Sequence, residues 1–279
     1  MLDLAPARTL DARGTALSLG KRALIMGVLN VTPDSFFEDS RHPQTPDAVA
    51  TGLRLVAEGA DIIDIGGEST RPGYVPVGAE EELERVLPVV EALSRRTDIP
   101  ISIDTYKAKV AERVLAAGAK IVNDVWGLAR DPEMAATVAA HDAAVIIMHN
   151  REKADPSLDI MEELRRFFEK ALERAVTAGI RDNRIVLDPG IGFGKTLEQN
   201  LTALACIDEI VELGFPVLLG ASRKSFIGKL VPSDPGERLP ATIAANIIGV
   251  LAGVSIIRVH DVAPHVQALK IAEAIRSAS

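Results

Sequence analysis

Cysteine is almost absent from this sequence, and aromatic residues are few. Cys206 is the only cysteine among 279 residues, so the chain cannot form an intramolecular disulfide. The first residues, MLDLAPARTL, include acids and a proline where a secretion signal would carry basic and then apolar residues. We therefore expect a cytoplasmic protein in a reducing compartment.

Long hydrophobic runs and an excess of basic charge are missing as well. No apolar run approaches the length of a membrane span. The formal net charge is −8 and the sequence pI is about 5.3, whereas nucleic acids and anionic membranes attract basic surfaces. We therefore expect neither nucleic acid nor membrane as a partner.

Short apolar runs recur along the chain, each followed by a polar or glycine-containing loop and then by a stretch with helix signals. The eight runs are residues 23–30, 61–67, 100–104, 120–124, 144–149, 184–188, 216–220 and 255–260. Near-continuous valine, isoleucine and leucine is typical of parallel strands that are buried on both faces. The pattern therefore predicts eight strand–helix units.

Eight such units in about 250 residues predict a single-domain α/β protein of the (β/α)₈ class, a TIM barrel. Residues 1–22 would form an N-terminal lead-in segment and residues 23–279 the barrel domain. Alternation of strands and helices does not by itself exclude an open, doubly wound sheet. In a barrel, the loops that follow the strands share one face, which is the catalytic face.

The glycine-rich segment DPGIGFGKT, residues 188–196, ends like a nucleotide-binding P-loop. A P-loop requires glycine five residues before Gly194, and that position is Pro189. The spacing of the three glycines is also one residue short of a dinucleotide-binding fingerprint. We interpret the segment as a loop after a strand whose glycines let the backbone pass close to a ligand. Lys195 is predicted to be a solvated loop lysine.

Ionisable and amide side chains stand at the ends of the eight runs, where apolar strands have no need of them. They are Asn30, Asp64, Asp104, Asn123, Asp124, His149, Asp188, Arg258 and His260, with Lys224 just after the seventh run. Capping of the following helix would be enough to explain any single Asp or Asn in this set. Histidine, lysine and arginine are not N-caps, so the whole set indicates a functional site.

The set divides into two chemical groups. Asp104, Asn123 and Asp188 offer oxygens and an amide that can read the edge of a nitrogen-rich ring. Cationic donors in an acidic chain suit a phosphate or diphosphate. These donors are Arg71, Lys224, Arg258 and His260. The implied ligand is a flat heterocycle that carries a phosphate ester.

Seven segments together resemble the dihydropteroate synthase family and occur in the family's order. They are MGVLNVTPDSF (26–36), DIGGESTRPG (64–73), SIDT (102–105), VND (122–124), DPGIGFGK (188–195), ASRKSFIG (221–228) and RVHDV (258–262). The pieces NVTPDSF, GESTRPG and SRKS are the most specific. The resemblance covers nearly the whole chain.

The resemblance implies a transferase of folate biosynthesis that condenses 6-hydroxymethyl-7,8-dihydropterin diphosphate with p-aminobenzoate, giving 7,8-dihydropteroate and pyrophosphate. It also implies Mg²⁺ as cofactor, a homodimer, and sulfonamides as ligands of the p-aminobenzoate site. The pterin nitrogens can delocalise the cation left when the diphosphate departs. We therefore expect an SN1-like substitution without a covalent protein nucleophile.

The resemblance also implies roles for individual residues. The catalytic residues would be Asp104, Lys224, Arg258 and His260. The pterin diphosphate site would comprise Thr70, Asp104, Asn123, Met148, Asp188, Lys224, Arg258 and His260. The p-aminobenzoate site would be bordered by Thr70, Arg71, Pro72, Phe193 and Ser225, and Asn30 would bind the metal. We expect Arg258→Ala and His260→Ala to reduce turnover far more than stability.

Two loops depart from the family pattern. FEDSRHP (37–43) stands where the family has a serine, an aspartate and glycines, which could bring Phe37 to the second substrate. Residues 150–158 lack the Met-His-Met-Gly-x-Pro-like continuation that is common in the family, so the resemblance assigns no contacts to this loop. In the family, the loops at 31–40 and 67–75 close over the substrates and would keep water from a reactive cation.

Three other functions are compatible with such a barrel. A methyltetrahydrofolate-dependent methyltransferase would share the pterin-reading residues but would not need a diphosphate site. An aldolase would form a Schiff base on Lys224 that borohydride would trap. A binding protein without catalysis would tolerate a degraded ESTRPG or RVH segment, and both are intact here.

Overall fold

The computed structural model of the chain describes residues 8–20, 22–32, 45–68 and 76–278. An antiparallel hairpin of β1 (Arg8–Ala12) and β2 (Thr15–Leu19) precedes eight parallel strands. The parallel strands are β3 (Leu24–Asn30), β4 (Ile62–Gly66), β5 (Ile101–Asp104), β6 (Ile121–Asp124), β7 (Ala144–Met148), β8 (Ile185–Asp188), β9 (Leu218–Leu219) and β10 (Ile256–Val259). Each predicted run contains one of these strands.

The eight parallel strands close into a barrel. Their hydrogen-bonded order is β8-β7-β6-β5-β4-β3-β10-β9. A parallel bridge between Leu187 and Val217 joins the two ends of that order, with the Leu187 amide donating to the Pro216 carbonyl at 2.9 Å. An open sheet would leave both end strands unpaired, so the predicted (β/α)₈ class is confirmed and the doubly wound alternative is wrong.

Helices follow the strands and cover the outside of the barrel. They are α1 (Thr45–Glu58), α2 (Ala79–Ser94), α3 (Ala108–Ala116), α4 (Met134–Ala140), α5 (Ile160–Thr177), α6 (Leu197–Ala205), α7 (Ile207–Val211), α8 (Ser225–Leu230), α9 (Leu239–Leu251) and α10 (Val262–Ser277). Local signals fix their ends: the Asp159 carboxylate accepts from two backbone amides at the start of α5, and Thr196 and Gln199 form a capping box on α6. Within the described ranges, no helix is long and apolar enough to span a bilayer.

The hairpin closes the end of the barrel where the strands begin. Its side chains Leu10, Ala12 and Leu19 are buried in one cluster with the first inward-facing residues of the barrel strands, such as Met26 and Ile121. The lead-in predicted for residues 1–22 thus contains a regular element that seals the bottom of the core. Because the hairpin fills that end, the polar ends of the strands remain as the open face.

Candidate active site

Register between neighbouring strands brings the predicted side chains to the same height on the barrel. The aligned residues are Asn30 with Gly66, Gly66 with Asp104, Asp104 with Asn123, and Met148 with Asp188. They form the last layer of the barrel before the catalytic-face loops. A pocket opens at this layer. The predicted residues that line it are Asp104, Asn123, Met148, Asp188, Phe193, Lys224 and Arg258.

Arg258 holds two carboxylates at the floor of the pocket. Its Nε donates to Asp64 Oδ2 at 2.6 Å and its Nη2 donates to Asp104 Oδ2 at 2.7 Å. Asn123 Nδ2 donates to the same Asp64 oxygen at 3.0 Å. Asp64, which received no role from the sequence, is fully buried and positions both Arg258 and Asn123. The signal for it was a carboxylate inside the apolar run DIIDIGG, where no loop or helix cap required one.

The two aspartates that line the pocket have raised pKa values. Burial raises the pKa of Asp104 to about 7, with Asp64 adding to the effect and the Arg258 guanidinium opposing it. Burial also raises the pKa of Asp188, although its Oδ1 accepts from the Gly190 amide at 2.7 Å. Near neutral pH, Asp104 can therefore donate as well as accept a hydrogen bond, which suits recognition of a ring edge.

Lys224 and His260 complete the basic side of the rim. Burial and the neighbouring Arg258 lower the pKa of Lys224 to about 8, and its Nζ lies 3.8 Å from the centroid of the Phe193 ring. Burial, followed by Arg258 and Arg223, lowers the pKa of His260 to about 4. The structure therefore favours a neutral His260 ring, whereas the sequence led us to expect a cationic donor. Its neutral ring faces Ser222 Oγ, which lies 3.0 Å from Nδ1.

Arg223 stands beside Lys224 in sequence but has a different role. Its Nε donates to Asp261 Oδ2 at 3.0 Å, and its Nη2 donates to Asp261 Oδ1 at 2.5 Å. Its backbone has φ 57, and its amide donates to Thr242 Oγ1. The ion pair with Asp261 and the bond to Thr242 hold the backbone at Arg223, and the next residue, Lys224, lines the pocket. Ser225 follows as the exposed first residue of α8.

Lys195 is buried, and the prediction of a solvated loop lysine is wrong. The residue is 8% exposed, and its Nζ lies 2.7 Å from His149 Nδ1, 3.0 Å from the Gly190 carbonyl and 3.2 Å from the Phe193 carbonyl. The sequence could not show that a loop would fold around its own lysine. Three acceptors in range explain why burial of this ammonium is tolerated.

Gly190 passes so close to the barrel wall that no other residue fits. Its φ is +65, and a Cβ at this position would lie 1.9 Å from the His149 carbonyl oxygen. The glycine-rich segment therefore presses against strand β7, and the Asp188 carboxylate caps its turn. The interpretation of DPGIGFGKT as a close-packed loop after a strand agrees with this geometry.

We expect Gly190→Ala to destabilise the protein by more than about 3 kcal/mol, because the added methyl meets backbone. Gly179→Ala is the matched control: its φ is +89, but nothing lies within 4 Å of a Cβ there. That substitution should cost only the left-handed backbone penalty, about 1 kcal/mol. Urea denaturation of the two variants measures the difference, and equal losses would contradict the steric explanation.

Part of the predicted second-substrate site lies outside the described residues, namely Thr70, Arg71 and Pro72. The same is true of Phe37 and of most of the two predicted lid loops. The residues on either side of the second loop are anchored. Lys107 Nζ forms ion pairs with Glu68 and Glu82, and Glu68 Oε2 also accepts from the Val77 amide at 3.2 Å. The start and end of that loop are thereby held together.

Asn30 has the chemistry that a magnesium site on this rim would require. It lies half-buried at the end of β3, and its neighbour Gly66 has no side chain to obstruct it. A Cβ at Gly66 would lie 3.8 Å from Asn30 Oδ1 and 3.6 Å from the Asp104 Cβ. An amide oxygen is a hard ligand that Mg²⁺ accepts alongside phosphate oxygens and water. No group of three His, Cys, Asp or Glu side chains that could hold a metal is found in the described part of the chain.

The barrel brings two acids and an amide together beside buried cations, and its residues 26–260 match the family of pterin binding enzymes. The dihydropteroate synthase of Clostridium beijerinckii is 45% identical over 259 residues, which is 92% of this chain and 96% of that protein. The chain therefore belongs to the dihydropteroate synthase family.

Solved structures of that family superpose closely. The Clostridium difficile dihydropteroate synthase determined with pteroic acid has a TM-score of 0.90 and 50% identity, covering 92% of this chain and 98% of that one. The Xanthomonas albilineans dihydropteroate synthase with 4-aminobenzoic acid has a TM-score of 0.92 and 42% identity, covering 97% of this chain and 99% of that one. The resemblance predicted from seven segments is confirmed.

Proposed function

We propose that this enzyme is a cytoplasmic transferase that joins 6-hydroxymethyl-7,8-dihydropterin to p-aminobenzoate with release of pyrophosphate. The observation that carries the proposal is a pocket that Asp104, Asn123 and Asp188 line together with Lys224 and Arg258. The likeness to synthases solved with pteroic acid and 4-aminobenzoic acid supports it. We assign residues 23–279 to the catalytic domain and residues 1–22 to its lead-in.

The acid and amide groups would bind the pterin. Asn123 Oδ1 is buried at the pocket and has no hydrogen-bond partner within the described ranges, so it can accept from a ring amino group or N–H. Asp188 Oδ1 is occupied by the Gly190 amide, which leaves Oδ2 for the ligand. Asp104, held by Arg258, accepts a hydrogen bond when it is ionised and can donate one when it is protonated. Met148 provides an apolar surface against the ring.

The basic groups would bind the diphosphate. Arg258 carries permanent charge, Lys224 is protonated at neutral pH, and His260 contributes a neutral N–H donor. When Mg²⁺ is bound, it would neutralise phosphate charge, and Asn30 would be its protein ligand. Thr70, Arg71, Pro72, Phe193 and Ser225 are proposed to border the p-aminobenzoate site.

The reaction would be a dissociative, SN1-like substitution. The bond between the exocyclic CH₂ and the diphosphate oxygen breaks, the amine nitrogen bonds to that carbon, and the amine loses one proton. The cations of the rim stabilise the charge that develops on the departing pyrophosphate, while the pocket orients the cationic pterin toward the amine. No protein nucleophile is required.

The proposal is tested by incubating the protein with the pterin diphosphate, p-aminobenzoate and Mg²⁺ and identifying the products by mass spectrometry. We expect 7,8-dihydropteroate and pyrophosphate in equal amounts. Borohydride added during turnover should leave the protein mass unchanged, because Lys224 forms no Schiff base. Trapping of a carbonyl compound on Lys224 would favour the aldolase alternative, and methyl transfer without pyrophosphate would favour the methyltransferase.

We also propose that the enzyme is a homodimer that pairs through helices α9 and α10, which pack side by side. Ile248 and Leu251 on α9, and Ile271 and Ile275 on α10, are 42% to 68% exposed. Each pair is spaced three or four residues apart and so lies on one side of its helix. Large exposed apolar side chains on neighbouring helices are characteristic of a subunit interface.

We expect light scattering to give twice the 29.7 kDa chain mass for the wild type. The double variant Ile248→Glu/Ile275→Glu should give the monomer mass, because two carboxylates would have to be buried in the interface. Val176→Glu on α5, where the valine is 60% exposed, is the control and should remain dimeric. A wild-type monomer, or a dimer unaffected by the double variant, would refute this interface.

A further inference from the structure

A buried ammonium lies inside the loop between β8 and α6. Lys195 Nζ has three donors, and the structure supplies three acceptors: His149 Nδ1 and the carbonyls of Gly190 and Phe193. Its carbon chain is covered, so that only 8% of the residue is exposed. None of the roles proposed above uses this group.

His149 presents Nδ1 to that ammonium at 2.7 Å. When Lys195 is protonated it has no acceptor, so Nδ1 of the imidazole accepts and the ring proton lies on Nε2. Burial, followed by Lys195 and Arg151, lowers the pKa of His149 to about 2, so the ring stays neutral. Its Nε2 lies 4.0 Å from a carboxylate oxygen of Glu163. The ring packs edge-on against Phe167 at 4.9 Å between centroids.

The ammonium fixes the turn that presents Phe193. The Phe193 amide donates to the Gly190 carbonyl at 3.1 Å, and Lys195 Nζ donates to the carbonyls of both residues. The Phe193 ring in turn covers Lys224 Nζ at 3.8 Å in the pocket. A continuous set of contacts therefore runs from His149 through Lys195 to the aromatic wall beside Lys224.

Fold stability does not explain the presence of a lysine here. Burial is the main cause that lowers the pKa of Lys195 to about 7, with Asp188 opposing it, so the folded state disfavours the charge. An apolar side chain of similar length would avoid that cost. A buried group that costs stability is characteristic of a functional requirement.

We propose that Lys195 and His149 are positioning residues that set the Phe193 wall for the aromatic amine, the second substrate. This inference rests on the proposed condensation. Lys195 is not among the residues that line the pocket. It holds the carbonyls at both ends of the Gly190–Phe193 turn, and the turn places the ring.

The test measures both Michaelis constants in Lys195→Met, a variant of similar length without donors. We expect KM for p-aminobenzoate to rise about ten- to hundredfold, as for loss of a buried hydrogen-bond anchor, with KM for the pterin diphosphate unchanged and the melting temperature equal or higher. Lys170→Met, at an exposed position on α5, is the matched control and should resemble wild type. An unchanged KM for p-aminobenzoate, or an equal rise in both constants, would overturn the inference.

Two substitutions at His149 provide an independent readout. The side-chain oxygen of Asn occupies the position of Nδ1 and can accept from Lys195, whereas Leu cannot. His149→Asn should keep the wild-type KM for p-aminobenzoate, and His149→Leu should reproduce the Lys195→Met phenotype. Identical behaviour of the two variants would also overturn the inference. A wild-type protein that releases no pyrophosphate would instead refute the proposed function, so the two failures are distinguishable.

Discussion

Lys224→Met is expected to lower kcat/KM by about a thousandfold while leaving the protein equally or more resistant to unfolding. The loss of activity follows from the position of Lys224 in the pocket lining, together with Asp104, Asp188 and Arg258. The gain in stability follows from burial, which lowers the pKa of this lysine from 10.5 to about 8. A shift of that size corresponds to at most about 3 kcal/mol, and partial exposure of the side chain reduces it.

The difference in unfolding free energy between Lys224→Met and wild type should depend on pH. Between about pH 8 and 10.5 the unfolded lysine binds more protons than the folded one, so wild-type stability rises with pH relative to the variant. The advantage of Lys224→Met should therefore be fully present below pH 8 and disappear above pH 10.5. Urea denaturation across this range, combined with steady-state kinetics, measures both effects. Lys229→Met, at an exposed position on α8, the helix that Lys224 precedes, is the control.

Two results would contradict this prediction. If Lys224→Met retained most of its turnover, Lys224 would not act on the substrates. If it were less stable than wild type at neutral pH, the lysine would contribute to the fold instead of only being tolerated by it.

Arg258→Ala is expected to lose about a thousandfold or more in kcat/KM and, in addition, about 3–5 kcal/mol of stability. Sequence alone led us to expect the loss of turnover without a comparable loss of stability. The structure changes that expectation because Arg258 is the ion-pair partner of both Asp64 and Asp104. Its removal leaves two buried carboxylates together without a cation that pairs with them.

Protonation distinguishes this explanation from loss of packing. An aspartate whose folded pKa is raised destabilises the fold above that pKa and ceases to do so below its unfolded value of 3.8. Removing the guanidinium raises the pKa of Asp104 further, so the deficit of Arg258→Ala relative to wild type should shrink as pH falls toward about 7, where the wild-type carboxyl itself takes up a proton. Adding Asp64→Asn should recover stability without recovering turnover. A deficit that is independent of pH and unaffected by Asp64→Asn would show that the carboxylates are not its cause.

The barrel was predictable because its strands are buried on both faces and therefore form near-continuous apolar runs. Six of the eight runs end in a polar side chain, and closure of the sheet brings the ends of the strands together whatever the sequence of the loops. The hairpin was missed because RTLDARGTALSL alternates with period two and is too short and polar to stand out. It becomes visible only when Leu10 and Leu19 are seen to fill the barrel.

Residue types at the site were predictable, whereas their charge states and partners were not. Asp64 and Arg258 are 194 positions apart in sequence, and only the three-dimensional arrangement shows that they pair. The neutral state of His260 arises from burial beside Arg258 and Arg223. Lys195 shows the same limit, because its three acceptors depend on how the loop folds around it.

The most direct test of the central claim is a continuous assay of pyrophosphate release with Mg²⁺ and both substrates, repeated with p-aminobenzoate omitted and with Asp188→Asn and Lys224→Met. If one rim of the barrel binds both the pterin and its leaving group, pyrophosphate release should be rapid only in the complete wild-type reaction. The rate of release should fall severely in either variant. Wild-type rates in either variant would contradict the account.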